Sequence, residues 1–392
     1  MITALLSVAV QEFISQNIDA NISKLALQKN PFPEVPWVEI LTQISAKNKA
    51  KEKLPTWYCH SNIIYPSKIS VEQTSSEKTA LYKSNLVSGE NLIDLTGGFG
   101  VDDFYFSKKM NQVFHCELNR ELSEIVTHNF EILKQKNITC LQGDSFETLK
   151  KLNQHFDWIY IDPSRRSDTK GKVFMLKDCL PNVPELLEDY FQFSNKILIK
   201  TAPILDITSG LNELQNVKTI HIIAVNNEVK ELLWEIEKDY EDTITIKTIN
   251  FNKEKEEKFD FILNQEIENK SYTLPRKYIY EPNSAILKSG AFELIANHFK
   301  IEKLHQHSHL YTSDEVIDFP GRLFKIENSF EYNKNEMKEF LQNTKANITT
   351  RNFPETVENI RKKWKINDGG NSYVFFTTNV NNDKIVLICT KI

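Results

Sequence analysis

The chain has 392 residues, 40% of them apolar and 26% charged, with a formal net charge of -5. That length exceeds one ordinary domain and that composition excludes a disordered chain, so two to four compact units are expected. The charge gives no global attraction to nucleic acid, and the five scattered cysteines, without a Cys-x-x-Cys pair, exclude a disulfide framework or a zinc site.

The opening "MITALLSVAV" carries no basic flank and runs into Gln11 and Glu12, and no apolar run anywhere reaches the length of a membrane span. A cytoplasmic address is expected. Residues 1–84 read as an N-terminal helical domain interrupted by the prolines of "NPFPEVPW". Within its last part, "SVEQTSSEKTALYKSNL" (70–86), Ser75 or Ser76 can cap a helix whose N–H groups face an anion.

Residues 85–250 alternate aliphatic and amphipathic runs. "NLIDL" (91–95), "QVFHCE" (112–117), "ITCLQ" (138–142), "DWIYID" (157–162), "KILIK" (196–200) and "TIHIIAV" (219–225) have the β-branched content of buried strands. Between the second and third, "RELSEIVTHNFEILKQKN" repeats Leu122, Ile125, Val126, Phe130 and Leu133 at helical spacing. Such alternation demands a doubly wound α/β sheet with helices on both faces. Residues 251–319 begin with "NKEKEEK" (252–258), a charged connector or hairpin tip, and continue as a small α+β domain. Residues 320–392 end in a hairpin, "NSYVFFTT" and "KIVLICTKI" around "NVNND", preceded by an amphipathic "ETVENIRKKWKI".

Ligands of doubly wound sheets sit at the carboxyl ends of the strands. There, "DLTGGFG" places Gly97, Gly98 and Gly100 after Asp94, and glycines let backbone approach a ligand closely. A tight turn accounts for such a cluster equally well. Glu117 closes the second strand 23 residues after Asp94, where a carboxylate can accept hydrogen bonds from both hydroxyls of a ribose. Asp144 follows the third strand in "QGDS".

Together, "DLTGGFG", "CELN", "QGDS" and "DWIYIDPSRR", at the ends of successive strands, resemble the motifs of class I S-adenosylmethionine-dependent methyltransferases over about 85–225. The resemblance implies a Rossmann-like methyltransferase sheet with S-adenosyl-L-methionine as cofactor. It puts Gly97, Gly98 and Gly100 against the methionine portion, Glu117 at the ribose and Asp144 at the adenine amine, with Asp94, Thr96, Leu118 and Ser145 as further cofactor-binding candidates. Thr96 stands where the family usually has its first glycine. In that superfamily a helix before the first strand often closes over the methionine carboxylate, which makes Gln73, Thr74 and Ser75 candidates beside plain helix capping. The segments "YEPNSAILKSGAF" (280–292) and "NITTRNFP…DGGNSYVFFTT" resemble bacterial methyltransferases with a THUMP-like C-terminal domain and a small ferredoxin-like insert, grouped with RNA modification enzymes.

The fourth strand ends in Asp162, Pro163, Ser164 and Arg165, the candidate catalytic residues. The corresponding motif of amine methyltransferases is an Asp or Asn, two prolines and an aromatic, and its acid and a backbone carbonyl take hydrogen bonds from the target nitrogen. Ser164 and Arg165 depart from it; Arg165 or Arg166 can hold a phosphate, or pair with Asp168 or Asp178. Methylation at C5 of a pyrimidine needs a cysteine nucleophile, and neither usual place has one; Cys179, 17 residues past Asp162, reads as a buried hydrophobe. A nitrogen or oxygen acceptor is therefore expected, in structured RNA (tRNA or rRNA). Residues 321–392 hold twelve Lys and Arg against eight Asp and Glu, and Arg361, Lys362, Lys363 and Lys365 surround Trp364 as candidate RNA contacts. A solvated helix face with Trp364 in the core is the plainer alternative. Also open are a small-molecule or protein methyltransferase, which fits the acidic total, and a catalytically inactive S-adenosylmethionine or RNA-binding module.

Overall fold

Aliphatic runs flanked by amphipathic helices form parallel strands covered on both faces, and the centre of the chain follows that rule. The computed structural model describes residues 2–66, 68–165, 175–253, 255–267 and 270–392. It divides into two units, Met1–Lys218 with Leu233–Glu241, and Thr219–Leu232 with Asp242–Ile392.

In the first unit, β1 (Gly89–Asp94), β2 (Met110–Glu117), β3 (Ile138–Gln142) and β4 (Trp158–Ile161) are followed by the short β5 (Ser164–Arg165) and β6 (Cys179–Leu180) and by β7 (Lys196–Thr201). The parallel order is β7-β4-β1-β2-β3. The chain then leaves along β8 (Val217–Val225) and returns along β9 (Glu228–Glu237), whose second half lies next to β7. Trp234 of that returning half is fully buried; its indole N–H donates to Thr201 Oγ1 at 3.0 Å. It covers Gly210 so closely that an added Cβ would fall 2.4 Å from the ring.

The helix Arg120–Ile132 buries Ile125, Val126 and Phe130, the expected stripe. It stops short of the end of its sequence pattern because Lys134 turns left-handed, with φ 57°. Its core is shared with the N-terminal segment: Trp57, Ile64 and Tyr65 pack with Phe99, Phe104 and Phe130, the Trp57 and Phe104 rings 4.8 Å apart. Leu5, Val10, Ile14, Leu25, Val35, Ile40 and Ile44 form a cluster of their own.

The second unit contains the rest of β8, parallel to β10 (Thr245–Phe251), with β11 (Glu256–Ile262) antiparallel to β10. The charged "NKEKEEK" run lies at the turn of the β10–β11 hairpin, and its last residues enter β11, where Glu257 and Phe259 are buried while Glu256 and Lys258 face water. A seven-stranded sheet follows, from β12 (Tyr278–Pro282), β13 (Glu302–Lys303), β14 (Tyr311–Ser313), β15 (Gly321–Glu331), β16 (Asn347–Thr350), β17 (Ser372–Thr378) and β18 (Lys384–Lys391), in the order β13-β14-β12-β15-β18-β17-β16. The terminal hairpin is β17 with β18, antiparallel as expected. No helix among the described residues is long and apolar enough to cross a membrane.

Candidate active site

A cavity of about 650 Å³ opens at the carboxyl ends of β1, β2, β3 and β4. Parallel strands deliver their following loops to one edge, so residues far apart in sequence converge there. Asp94, Thr96, Gly97, Gly98, Gly100, Glu117, Leu118, Asp144 and Ser145 all line it, as do Gln73, Thr74 and Ser75, together with Asp162 and Ser164 of the fourth-strand motif. Pro163 and Arg165 are not among the lining residues. Pro163 is buried, and strand alternation turns Ser164 one way and Arg165, paired opposite Cys179, the other. Arg166 and Asp168 lie outside the described residues.

Two glycines of the loop have different physical reasons. A Cβ on Gly97 would fall 2.2 Å from the imidazole of His115 beneath it, so the close approach is to the protein's own core. Gly98 has φ +57° and room for a side chain; its requirement is conformational, and its N–H donates to Glu117 Oε2 at 3.0 Å. The other oxygen of Glu117 accepts from Asn119 N–H at 2.7 Å. Two backbone donors thus fix this carboxylate at the cavity wall.

Thr96, the departure from the family loop, ties strands together. Its hydroxyl donates to Asp94 Oδ1 at 3.0 Å and accepts the Asp162 N–H at 2.6 Å, joining the ends of β1 and β4. Asp144 caps the helix Ser145–Leu152, accepting from Glu147 N–H at 2.9 Å. Ser76, rather than Ser75, caps the helix Glu77–Ser84. Ser75 instead donates to Asp102 Oδ2 at 2.8 Å and accepts from Lys83 at 2.7 Å.

That bond belongs to a buried network absent from the sequence reading. Lys83 is fully buried, 3.0 Å from Asp102, and Tyr160 donates its hydroxyl to the same carboxylate at 2.8 Å. Burial pushes the Asp102 carboxyl up, but Lys83 and Lys200 outweigh it and hold the group below its ordinary range. Lys200, at the end of β7, also donates to Asp162 Oδ2 at 2.5 Å and lines the cavity. Deeper, Asp103 and His115 share a 2.7 Å hydrogen bond with both side chains out of solvent. Burial and then Asp102 raise Asp103 well above the carboxylate range, and burial lowers His115 against the opposing pull of Asp94 and Glu117, so both shifts favour the uncharged forms. Asp94 is raised by burial and then by Asp103.

Cys116 also lines the cavity; burial, then Asp94 and Asp103, push its thiol far up, which leaves no thiolate nucleophile there. Cys179 is fully buried, as expected of a small hydrophobe.

In the second unit, Trp364 is 7% exposed and packs with Ile360, Ile366 and Val374. The ring therefore belongs to the core, as in the plainer alternative, rather than to a surface open to stacking. Arg361 pairs with Asp368 at 2.5 Å and Lys363 with Glu355 at 2.9 Å, while Lys362 and Lys365 are exposed.

A doubly wound parallel sheet with a glycine loop after β1, a carboxylate ending β2 and a carboxylate after β4, all on one cavity, is the architecture of a methyltransferase fold. Family models match the second unit: a ferredoxin-like domain over 278–320 and a THUMP domain-like segment over 321–391. A Porphyromonas gingivalis W83 protein, whose crystal structure carries a methyltransferase assignment, aligns over 98% of both chains at 33% identity with a TM-score of 0.87. The chain belongs to that methyltransferase family. Two curated relatives share shorter stretches: an uncharacterized RNA methyltransferase of Mycoplasma mobile is 32% identical over 77 residues, 20% of this chain and 21% of that one. Another from Prochlorococcus marinus is 26% identical over 130 residues, 32% and 31% of the two chains. The matches therefore span about a fifth and a third of those relatives.

Proposed function

We propose that the chain transfers a methyl group from S-adenosyl-L-methionine to a nitrogen of a nucleotide in structured RNA, tRNA or rRNA. The observation that carries this reading is the convergence of the Glu117 and Asp162 carboxylates on one cavity, with the side-chain-free Gly97–Gly98 backbone between them in the lining. The cavity fits the cofactor. Glu117 offers lone pairs to the ribose hydroxyls, Leu118 offers an apolar face, and the side-chain-free backbone of Gly97 and Gly98 in the lining suits the methionine portion. When bound, the cofactor supplies an electrophilic methyl group on a sulfonium, so the protein has mainly to orient and desolvate the acceptor.

Asp162 suits that task. Its side chain is 37% exposed, toward the cavity, and Lys200 fixes one carboxylate oxygen while Thr96 fixes its backbone N–H. The carboxylate can accept a hydrogen bond from an acceptor N–H and thereby aim the nitrogen lone pair. RNA as substrate is supported by the relatives named RNA methyltransferases, by the THUMP-like segment and by exposed Lys362 and Lys365. Mass spectrometry of nucleosides from a strain lacking the gene, against its parent, tests the reading: one methylated nucleoside should disappear. Asp162→Ala should abolish turnover with cofactor affinity nearly intact. Full activity in that variant would remove the fourth-strand motif from the mechanism.

A further inference from the structure

Two strongly exposed leucines line the cavity, Leu118 at 70% and Leu180 at 55%. Leu118 follows Glu117 on the side proposed for the cofactor. Leu180 belongs to the other side: antiparallel pairing of β5 with β6 sets it opposite Ser164, two residues beyond Asp162. Cross-strand partners have Cβ atoms about 4.5–5.5 Å apart, so Leu180 stands beside the fourth-strand motif. Its neighbour Cys179 is fully buried, which anchors β6 on one face and presents Leu180 on the other, and Pro181 continues the apolar surface along the cavity.

We propose that Leu180 and Pro181 form the wall against which the acceptor base lies, while Asp162 and Lys200 meet its polar edge. The inference rests on the RNA reading above. Its occupant is a nucleobase drawn out of its stack, because such a base needs an apolar surface for its face and hydrogen-bonding partners for its edge. Lys200 donates and Asp162 accepts, 2.5 Å apart, which matches the adjacent acceptor and N–H groups of a base edge. The aromatic that Arg165 replaces in the motif is thus supplied in function by the neighbouring strand.

The test is Leu180→Ala in the full chain, assayed on bulk tRNA and rRNA from a strain lacking the gene. KM for RNA should rise about tenfold, the loss of one base contact, with kcat changed less. The calorimetric Kd for S-adenosylmethionine should stay unchanged. Leu180→Phe, which keeps an apolar face, should remain within about threefold of the parent. Leu118→Ala should do the reverse, raising the cofactor Kd and sparing KM for RNA. An unchanged KM in Leu180→Ala, or a raised cofactor Kd in its place, overturns the wall while the RNA reading stands. Failure of the unmodified protein to methylate any RNA removes the RNA reading and this inference with it.

Discussion

Replacing Gly97 by Ala isolates the packing beneath the glycine loop. The new Cβ would sit 2.2 Å from His115 Cε1 and 2.3 Å from Nδ1, against a comfortable carbon separation of about 3.5–4.0 Å. The ring cannot swing aside cheaply, since it is fully buried and Nδ1 is bonded to Asp103 at 2.7 Å. Overpacking costs about 1–3 kcal/mol and breaking the buried bond about 1–3 more. For a unit of this size, about 2–4 °C of Tm accompanies each kcal/mol, so a fall on the order of 10 °C is expected. Gly98→Ala meets nothing nearer than Thr96 O at 3.6 Å and carries only the left-handed penalty, about 1–2 kcal/mol. It should lose a few degrees. Thermal melting monitored by circular dichroism, with S-adenosylmethionine calorimetry on both variants, compares them directly. A parent-like Tm for Gly97→Ala, or Gly98→Ala as the more damaging change, would refute the argument.

Glu117→Ala should weaken S-adenosylmethionine by about 2–3 kcal/mol, because the ribose hydroxyls lose a charged acceptor and the Gly98 N–H loses its partner; an unaltered calorimetric Kd would count against the ribose role. Asp103→Asn gives a pH signature. A carboxyl raised in the folded state contributes stability that is present at low pH and lost as pH climbs from the ordinary carboxyl range through the raised value, whereas Asn does not titrate. The Tm of the variant relative to the parent should therefore rise from pH 4 to pH 8, and a flat difference would show that Asp103 is not raised. Trp364→Ala should cost roughly 3–5 kcal/mol of stability as a core deletion, and affinity loss without destabilisation would return the ring to the surface. Replacing Lys362 and Lys365 together by Ala should flatten the salt dependence of RNA binding by up to about one log unit of slope per lost phosphate contact, measured by anisotropy titrations.

The strands and the convergence of their loops were legible because β-branched runs and glycine-plus-acid endings are local signals. The twelve cofactor candidates line one cavity for that reason. The buried cations were not legible: "ALYKS" and "KILIKT" give Lys83 and Lys200 no mark that separates them from solvated lysines. Only strand order brings Lys200 to Asp162, 38 residues away. Leu180 was hidden similarly, since a two-residue strand has no periodicity to read. For Trp364 a signal existed. Ile360 lies four residues before it on the same helix face, and both are buried, so helical spacing already favoured the core.

The return of Leu233–Glu241 to the first unit bears on how the protein can be divided. Trp234 arrives on that segment and covers Gly210 and Thr201, whose own stretch of chain is complete well before it. A fragment ending at Lys218 would contain the whole glycine loop, Glu117, Asp162 and Lys200, and still lack the indole that closes the far side of β7. It would expose an apolar strand edge, the usual start of aggregation. On the ribosome the same dependence means that this unit cannot finish packing until residue 241 has emerged, by which point Thr219–Leu232 of its companion has been made too. Exchange of either unit between relatives by a single crossover is correspondingly disfavoured: any cut between 218 and 233 separates a segment from its own core.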